Sequence, residues 1–412
     1  MHIIYCIDKR TTFLTVGEPS HFLFPHLNLI CSPTGRARYG PIFRCLAGPQ
    51  RIVVVCDAVG IQSIFRDKLR VLSSASNYNS VCSSVGSVGA NMSHYLPDRI
   101  LPLTSDLFSP SRLCHFAPAL NSSLKTCIDD IERAAYNPQY TSLSQFIGQT
   151  LYSATSIGVF GKSFPISTYD DFEMVDIHFF DLMTRLPLLS LPAKRARDRL
   201  RAAVGEYIEA AGPTYGEGVL PEPTSHLLGI LCDLGLEKKD RDSMLFLFMW
   251  GVHSSQIRAA FWLFAYLLND PPALMRLRDS IDSAVAEKYQ GDINALINAP
   301  PGSLDSPEFA LLSSAVKEAL RVSSTIAPLR EVCEDTVVTL STGETYPLRK
   351  GEFVAPAISI VHQEDALFED AGAFVLERFT REYMKEQEAK ENAMKKGTYM
   401  PWGGGVHIVS TL

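Results

Sequence analysis

One stretch near the end of the chain decides the fold: Tyr399-Met400-Pro401-Trp402-Gly403-Gly404-Gly405-Val406-His407-Ile408. Its aromatic residue Trp402 is followed by Gly405 three positions on and by His407 two positions after that. This spacing is typical of a tight loop that presents the side chain two positions further on to a metal, and a cysteine sulfur there would be the ligand. Position 409 is valine, whose side chain has no lone pair, so the sequence predicts no metal ligand in this loop.

The composition is that of an ordinary globular protein. The chain has 412 residues, of which 46% are hydrophobic and 20% are charged, enough for one large domain or two smaller ones. A net charge of -7 gives no general attraction to nucleic acid, so nucleic-acid binding is not expected. The nine cysteines are scattered along the chain, and their spacing excludes zinc knuckles and Cys-x-x-Cys motifs.

No membrane anchor or signal peptide is predicted, because residues 1–30 contain no apolar run of about 18 residues. The most hydrophobic region, Met244–Leu268, is long enough to span a bilayer, but the polar residues of His253–Arg258 interrupt it. Such residues are costly against lipid and ordinary in a helix that is buried in protein. The sequence therefore predicts an internal helix in this region.

The hydrophobic pattern predicts an α-rich chain with a few local strands. β-Branched residues predict a hairpin of Ile42–Ala47 and Arg51–Cys56, and an aspartate directly after it is expected to cap a helix. A stretch rich in Ser, Asn and Gly, residues 73–93, is predicted to be a loop. A helix of nearly thirty residues is expected at Arg241–Asn269, where an Asp-Pro pair ends it and starts the next helix.

The C-terminal third continues this α-rich pattern. A helix is predicted at Pro307–Val322, followed by a hairpin of Thr336–Leu340 and Thr345–Leu348 with a glycine in the turn. A strand is predicted at Glu352–Ala357, and the highly charged Arg381–Lys396 is predicted to be a solvated surface helix.

Charged residues of the C-terminal third occur in an unusual order and spacing. Glu318 and Arg321 lie one helical turn apart and can pair with each other and with a third partner from a distant segment. Phe374–Phe379, which contains Arg378, lies 53 to 61 residues further on, and Trp402 follows after about two dozen more. A Glu-x-x-Arg pair alone is usually a surface salt bridge, but the whole ordered series is much rarer.

With these motifs the chain resembles the cytochrome P-450 family of haem-thiolate monooxygenases from Tyr39 to Ile408. The resemblance implies a mainly α fold with small β-sheets, the cytochrome P-450 fold lacking the part after the cysteine loop. It implies one incomplete domain of residues 39–412, preceded by an atypical segment of residues 1–38. It also implies haem as the cofactor, a hydrophobic small-molecule substrate and, for a monooxygenase, an NADPH-dependent reductase. Membrane association and an endoplasmic reticulum location are expected for the family, although no anchor is predicted here.

The resemblance also assigns roles to single residues. Glu318 and Arg321 look like the family's Glu-x-x-Arg pair, and Arg378 looks like the arginine that completes its buried structural triad behind the haem. Three such charges can satisfy one another through forked hydrogen bonds, whereas removal of one would leave a buried charge unpaired.

Cofactor-binding roles are implied for four positions. Arg330 looks like the arginine that binds the haem propionates, with a surface ion pair as the alternative, and His407 occupies a position that commonly has the same role. Trp402 and Gly405 match the conserved pattern of the cysteine loop. Val409 occupies the position of the axial cysteine, so sulfur ligation of iron is not expected there.

The long helix departs from the family pattern at Gly251-Val252-His253-Ser254-Ser255. Most members have an acid and a threonine here that deliver protons to iron-bound dioxygen. Ser255 could donate a hydroxyl proton and His253 could relay one, or His253 could be an ordinary core histidine. With its neighbouring residues, this departure is similar to the branch that contains prostacyclin synthase and sterol 7α-hydroxylase, whose substrates are large lipids.

Three functions therefore remain open. The first is a haem-dependent monooxygenase that acts on a lipid or sterol-like substrate. The second is an isomerase of the prostacyclin synthase type, which the missing acid and threonine favour. The third is a non-catalytic truncated product of splicing or of a wrong gene prediction, which Val409 favours.

Overall fold

The structure is a computed structural model and describes residues 36–37, 39–47, 50–66, 71–95, 99, 110–134, 142–184, 190–211, 220–300, 302–324, 329–390 and 397–404. The described residues group into two compact units. Unit 1 consists of residues up to Tyr78 together with residues from Ala310 onward, and unit 2 consists of Asn79 to Phe309. The single domain of residues 39–412 stays a prediction.

The described residues are mainly helical. The α-helices are α1 (Ala58–Arg66), α2 (Ala75–Ser84), α3 (Pro110–Ala134), α4 (Leu143–Phe160), α5 (Tyr169–Ile177), α6 (Phe179–Thr184), α7 (Leu191–Ala210), α8 (Glu222–Asp233), α9 (Lys238–Asn269), α10 (Pro271–Tyr289), α11 (Ile293–Ile297), α12 (Ala310–Ser323), α13 (Ile358–His362) and α14 (Arg381–Ala389). The strands are β1 (Ile42–Ala47), β2 (Gln50–Val55), β3 (Leu72–Ser73), β4 (Arg330–Val332), β5 (Thr336–Thr339), β6 (Thr345–Leu348) and β7 (Phe353–Pro356). The predicted fold class, mainly α with small β-sheets, is confirmed.

Both β-sheets of the described residues lie in unit 1. The larger sheet has the order β1-β2-β7-β4-β3, in which β2 pairs in parallel with β7 and the other pairs are antiparallel. The smaller sheet is the hairpin β5–β6, and Gly343 adopts a φ of 85° in its turn, where glycine is favoured. The predicted strands at Ile42–Ala47 and in this hairpin are confirmed, and β7 lies within the predicted Glu352–Ala357.

Asp57 connects β2 to α1, as the sequence predicts. Its Oδ1 accepts a hydrogen bond of 2.8 Å from Gly60 N, which caps the first turn of α1. The same carboxylate accepts bonds from the backbone N–H and the hydroxyl of Ser341. Residues of α1 such as Ile61 and Phe65 then pack into a core with β-strand valines.

Unit 2 is built around the long helix α9. Helix α4 packs against α3 and α9, and α7 packs against α5 and α9. Asp270 ends α9 and caps α10, because its Oδ1 accepts a 3.0 Å bond from Ala273 N while two prolines occupy the first turn. The predicted helix Arg241–Asn269 is confirmed, with three more residues at its start. Among the described residues, no helix combines the length and the apolar character that crossing a bilayer requires.

The predicted loop at residues 73–93 is wrong in part, because α2 occupies Ala75–Ser84. Ser and Asn side chains weaken a helix by competing for backbone hydrogen bonds, which is why the composition suggested a loop. Here Cys82 and Ser84 are buried, and the Asn79 side chain accepts a 2.9 Å bond from Met92 N. Tertiary contacts therefore override the weak local propensity.

A close helix crossing in unit 2 can be tested with glycine substitutions. A Cβ atom on Gly158 of α4 would lie 2.8 Å from the Cα of Leu120 in α3, so Gly158→Ala should push these two helices apart. We expect a loss of about 1–3 kcal/mol in the free energy of unfolding, measured by denaturant titration. As the control, Gly229→Ala in α8 meets open space and should be neutral or stabilise by up to about 1 kcal/mol. Equal effects of both substitutions would contradict the close crossing.

Candidate functional site

A buried cluster of three charges lies in unit 1. Glu318 and Arg321 are on the same face of α12, and the Arg321 Nε and Nη2 atoms each donate a 2.8 Å bond to Glu318. Arg378 arrives from the segment before α14 and donates a 2.9 Å bond from Nε to Glu318 Oε1. The Glu318 and Arg321 side chains are fully buried, and 4% of the Arg378 side chain is exposed. The structure thus brings together the three residues of the predicted triad.

Backbone carbonyl groups compensate the excess positive charge of this cluster. Arg321 Nη1 donates to the carbonyl groups of His362 and Ala371, and its Nη2 donates to that of Ala373. Arg378 donates to the carbonyl groups of Glu369 and Asp370. These bonds fix the irregular chain between α13 and α14 to α12, because each carbonyl group must keep its place to accept from a buried guanidinium group.

Ser314 joins the same segment to α12 independently of the charges. Its hydroxyl group donates a 2.7 Å bond to the carbonyl of Leu376 and accepts a 2.9 Å bond from Phe379 N. The segment Phe374–Phe379 is therefore held at both ends of its turn, and Arg378 is directed at Glu318.

Removal of the central carboxylate tests the cluster. Glu318→Gln leaves two buried guanidinium groups without a counter-charge, and we expect a loss of about 3–5 kcal/mol in the free energy of unfolding. The matched control is Glu386→Gln, which breaks the exposed pair of Glu386 and Lys390 in α14 and should cost less than about 0.5 kcal/mol. Both values come from chemical denaturation monitored by circular dichroism. A loss for Glu318→Gln as small as that of the control would contradict this account.

Arg330 is a buried cation at the start of β4. The residue is 5% exposed, and burial lowers the pKa of its guanidinium group to about 10. Within the part of the chain that the structure describes, its side chain makes no hydrogen bond or ion pair. A buried guanidinium group without a counter-charge is unfavourable, so this position suits an anionic ligand.

The segment of residues 397–404, here called the approach segment, leads towards the predicted loop. Gly403 adopts a φ of 76° and donates a 3.0 Å bond to the carbonyl of Met400, which forms a tight turn. A Cβ atom on Gly404 would lie 2.8 Å from the Phe65 ring, so α1 packs directly on this turn. Trp402 is half-buried. The predicted residues Gly405, His407 and Val409 lie outside the described residues.

His253 of α9 lies in an aromatic part of the unit 2 core. Its Nε2 atom is 3.1 Å from the Ser156 hydroxyl, and its ring centroid lies 4.6 Å from that of Tyr152 and 5.6 Å from that of Phe172. Burial lowers the pKa of His253 to about 3, so the ring is neutral at physiological pH. These contacts match the core-histidine interpretation, and its role in proton delivery stays a prediction.

Ser255 lies on a different side of α9 from His253. Two residues along a helix turn by about 200°, and Ser255 is exposed while His253 is fully buried. The Ser255 hydroxyl makes a long 3.4 Å contact with the carbonyl of Gly251, which is also exposed. The structure therefore does not bring the two predicted proton-delivery residues to one face.

Asp176 of α5 is a residue that sequence reasoning missed. Its carboxylate accepts bonds of 3.0 Å from Trp250 Nε1, 2.6 Å from the Ser254 hydroxyl and 2.7 Å from Arg258. The three donors come from successive turns of α9, and Phe179 stacks on the Trp250 ring. Donors four residues apart on one helix were a signal, but the sequence could not show which acid they bind.

Comparisons with known proteins identify the family. A sequence model of the family described as Cytochrome P450 matches residues 34–408 of this chain. The chain belongs to the cytochrome P450 family. This P450 chain is 30% identical to rat 25-hydroxycholesterol 7-alpha-hydroxylase over 254 residues, which cover 57% of this chain and 56% of the rat protein. It is 23% identical to bovine prostacyclin synthase over 386 residues, which cover 90% of this chain and 76% of that protein.

Other curated relatives are matched over shorter parts of their length. Mouse cytochrome P450 7B1 is 32% identical over 160 residues, 38% of this chain and 31% of that protein, and human prostacyclin synthase is covered to 42%. The matched regions thus span about a third to somewhat more than half of these proteins and of the rat hydroxylase.

Solved structures share the P450 fold. A retinoic acid-bound cyanobacterial CYP120A1 aligns with a TM-score of 0.67 at 17% identity, covering 91% of this chain and 81% of the other. The haem domain of cytochrome P450DA aligns with a TM-score of 0.69 at 15% identity, covering 97% and 86%. The predicted cytochrome P-450 fold is confirmed, and membership of this family implies haem as the cofactor.

Proposed function

We propose that this P450 chain is a haem-dependent monooxygenase scaffold for a large hydrophobic substrate of the lipid or sterol class. The match of residues 34–408 to the P450 family supports the cofactor and the reaction class. The substrate class is supported by two relatives of different activity, rat 25-hydroxycholesterol 7-alpha-hydroxylase and bovine prostacyclin synthase. The names of both point to large lipid molecules.

We infer that Arg330 binds the carboxylates at the edge of the haem. The supporting observation is a guanidinium group that is buried, keeps its charge and has no partner among the described residues. A haem propionate would supply the missing counter-charge and hydrogen-bond acceptors. As the family pattern implies, His407 is proposed to bind the same carboxylates, and Trp402 and Gly405 are proposed to shape the loop before position 409.

The residue at position 409 of this sequence does not supply the thiolate of a P450 haem. Cysteine thiolate is the ligand with which P450 haem iron activates oxygen, and Val409 occupies that position in this sequence. We therefore propose that oxygen insertion on this scaffold requires a cysteine at position 409.

The substitution Val409→Cys tests the proposed loop directly. The full chain is first reconstituted with haem, reduced and exposed to carbon monoxide. The absorption spectrum of Val409→Cys should then show the red-shifted Soret band of thiolate ligation, whereas the unsubstituted chain should lack it. Val409→Ser is the matched control, because it adds a polar atom of similar size without a thiolate, and it should also lack the band.

Two results would contradict the proposal. A thiolate band in the unsubstituted chain would place the axial ligand at another cysteine. Haem uptake by Val409→Cys without such a band would show that residue 409 does not face the iron.

An isomerase of the prostacyclin synthase type is the second candidate. Exposed Gly251 and Ser255 offer neither an acid nor a threonine on their side of α9, and prostacyclin synthase is a relative over most of this chain. Turnover of an endoperoxide lipid by Val409→Cys without a reductase would favour the isomerase. Turnover of a sterol that depends on NADPH and a reductase would favour the monooxygenase.

The partners follow from the reaction class. For the monooxygenase we propose an NADPH-dependent reductase as the electron donor and a location at the endoplasmic reticulum membrane. Both proposals rest on family membership.

A further inference from the structure

His362, at the end of α13, connects the charge cluster to the approach segment. The residue is fully buried, and its Nε2 atom accepts a 3.0 Å hydrogen bond from Met400 N. On the other side of the ring, Nδ1 lies 3.3 Å from the carbonyl of Arg321. A neutral imidazole with its proton on Nδ1 satisfies both contacts at once.

Two hydrogen bonds of opposite direction join His362 to Arg321. Arg321 donates from Nη1 to the carbonyl of His362, while the His362 ring donates back to the carbonyl of Arg321. Because Arg321 is itself fixed by Glu318, the backbone and the ring of His362 are both placed relative to the charge cluster. A rigid support of this kind leaves the Nε2 lone pair pointing in one direction.

Aromatic rings fix the orientation of the imidazole. Tyr399 stacks on it at 5.8 Å with an interplanar angle of 20°, and Phe368 approaches at 5.8 Å with its edge. Burial lowers the pKa of His362 to about 3, and the charge of Arg321 adds to this effect, while backbone groups of Arg321 and Thr398 act in the opposite direction. The ring therefore stays neutral, and its Nε2 atom stays available as an acceptor.

Met400 is the fixed point of the approach segment. Its N–H is held by His362, and its carbonyl accepts the 3.0 Å bond from Gly403 that closes the turn against Phe65. The residues after this turn are those predicted to surround the cofactor. Loss of the hydrogen bond from Met400 N to His362 would therefore release the chain just before that loop.

We propose that His362 is a positioning residue that fixes the approach segment through the hydrogen bond from Met400 N to its Nε2 atom, and thereby supports the predicted haem loop of residues 405–409. The effect on the haem rests on the proposed function, whereas the hydrogen bond to Met400 does not depend on it. The sequence alone gave no reason to select His362.

Two conservative substitutions separate the two ends of the ring. The amide of glutamine in His362→Gln reaches the position of Nε2 and can still accept from Met400 N. The shorter amide of asparagine in His362→Asn reaches only the position of Nδ1, so it can donate to the carbonyl of Arg321 but cannot reach Met400. The two variants are therefore matched controls for each other.

The first measurement is amide hydrogen exchange of the full chain without haem, resolved at Met400, with α4 of unit 2 as the internal reference. We expect Met400 to exchange about tenfold faster in His362→Asn and within about threefold of the unsubstituted rate in His362→Gln, with no change in α4. An unchanged rate at Met400 in His362→Asn would overturn the proposal, and so would equal acceleration in both variants. If His362→Asn does not fold, His362→Gln alone decides, because acceleration at Met400 in that variant overturns the proposal.

The second measurement uses the Val409→Cys background after haem reconstitution. Adding His362→Asn should lower the fraction of bound haem that shows the thiolate band at least about threefold, and adding His362→Gln should preserve it. Equal fractions in both double variants would overturn a role in the haem loop. Failure of Val409→Cys itself to show the band would contradict the proposed function, while hydrogen exchange at Met400 would still decide the role of His362.

Discussion

A buried carboxylate between two guanidinium groups organises unit 1. Glu318 accepts hydrogen bonds from Arg321 and Arg378, and the desolvation cost of these three charges is large unless every donor finds an acceptor. Carbonyl groups between residues 362 and 373 provide the remaining acceptors. The cluster therefore holds irregular backbone in one conformation. Apolar packing alone would do this less well, because it is not directional.

The approach segment depends on the same cluster through one more residue. Arg321 and His362 exchange hydrogen bonds, and His362 then holds Met400. Phe65 of α1 packs against Gly404 of the same segment, so closely that a Cβ atom on Gly404 would not fit. A chain of directional contacts thus runs from Glu318 to the turn before the predicted haem loop. Arg330 is not part of this chain of contacts, because its buried guanidinium group has no partner among the described residues.

The sequence predicted those features whose signal is local or has fixed spacing. Asp57 and Asp270 were recognisable as helix caps because the residue type and the following helix lie side by side. Glu318 and Arg321 were recognisable as part of a triad because of their sequence spacing to Arg378. Helix α2 was missed because its Ser and Asn residues have a weak local preference, and the contacts that stabilise it come from elsewhere. His362 and Asp176 were missed for a related reason, since a single polar residue gives no information about a distant partner.

Haem binding and oxygen activation are supported by different residues. The proposed edge of a haem rests on Arg330, whose guanidinium group is buried and has no partner among the described residues. The groups expected for oxygen activation differ from the family pattern, because Val409 has no ligand atom and because His253 packs in the unit 2 core on a different side of α9 from Ser255. The fold and the charge cluster of a P450 are thus combined with a sequence that departs from the family pattern at Gly251–Ser255 and at Val409.

A double-mutant cycle between Glu318 and Arg378 tests the central claim most directly. The free energy of unfolding is measured for Glu318→Gln, Arg378→Gln and the double variant. If the buried charges depend on one another, the double variant should be less destabilised than the sum of the single variants by about 2–3 kcal/mol, because removal of Arg378 relieves the charge that Glu318→Gln leaves unpaired. Additivity within about 0.5 kcal/mol would contradict the claim that this cluster organises the unit.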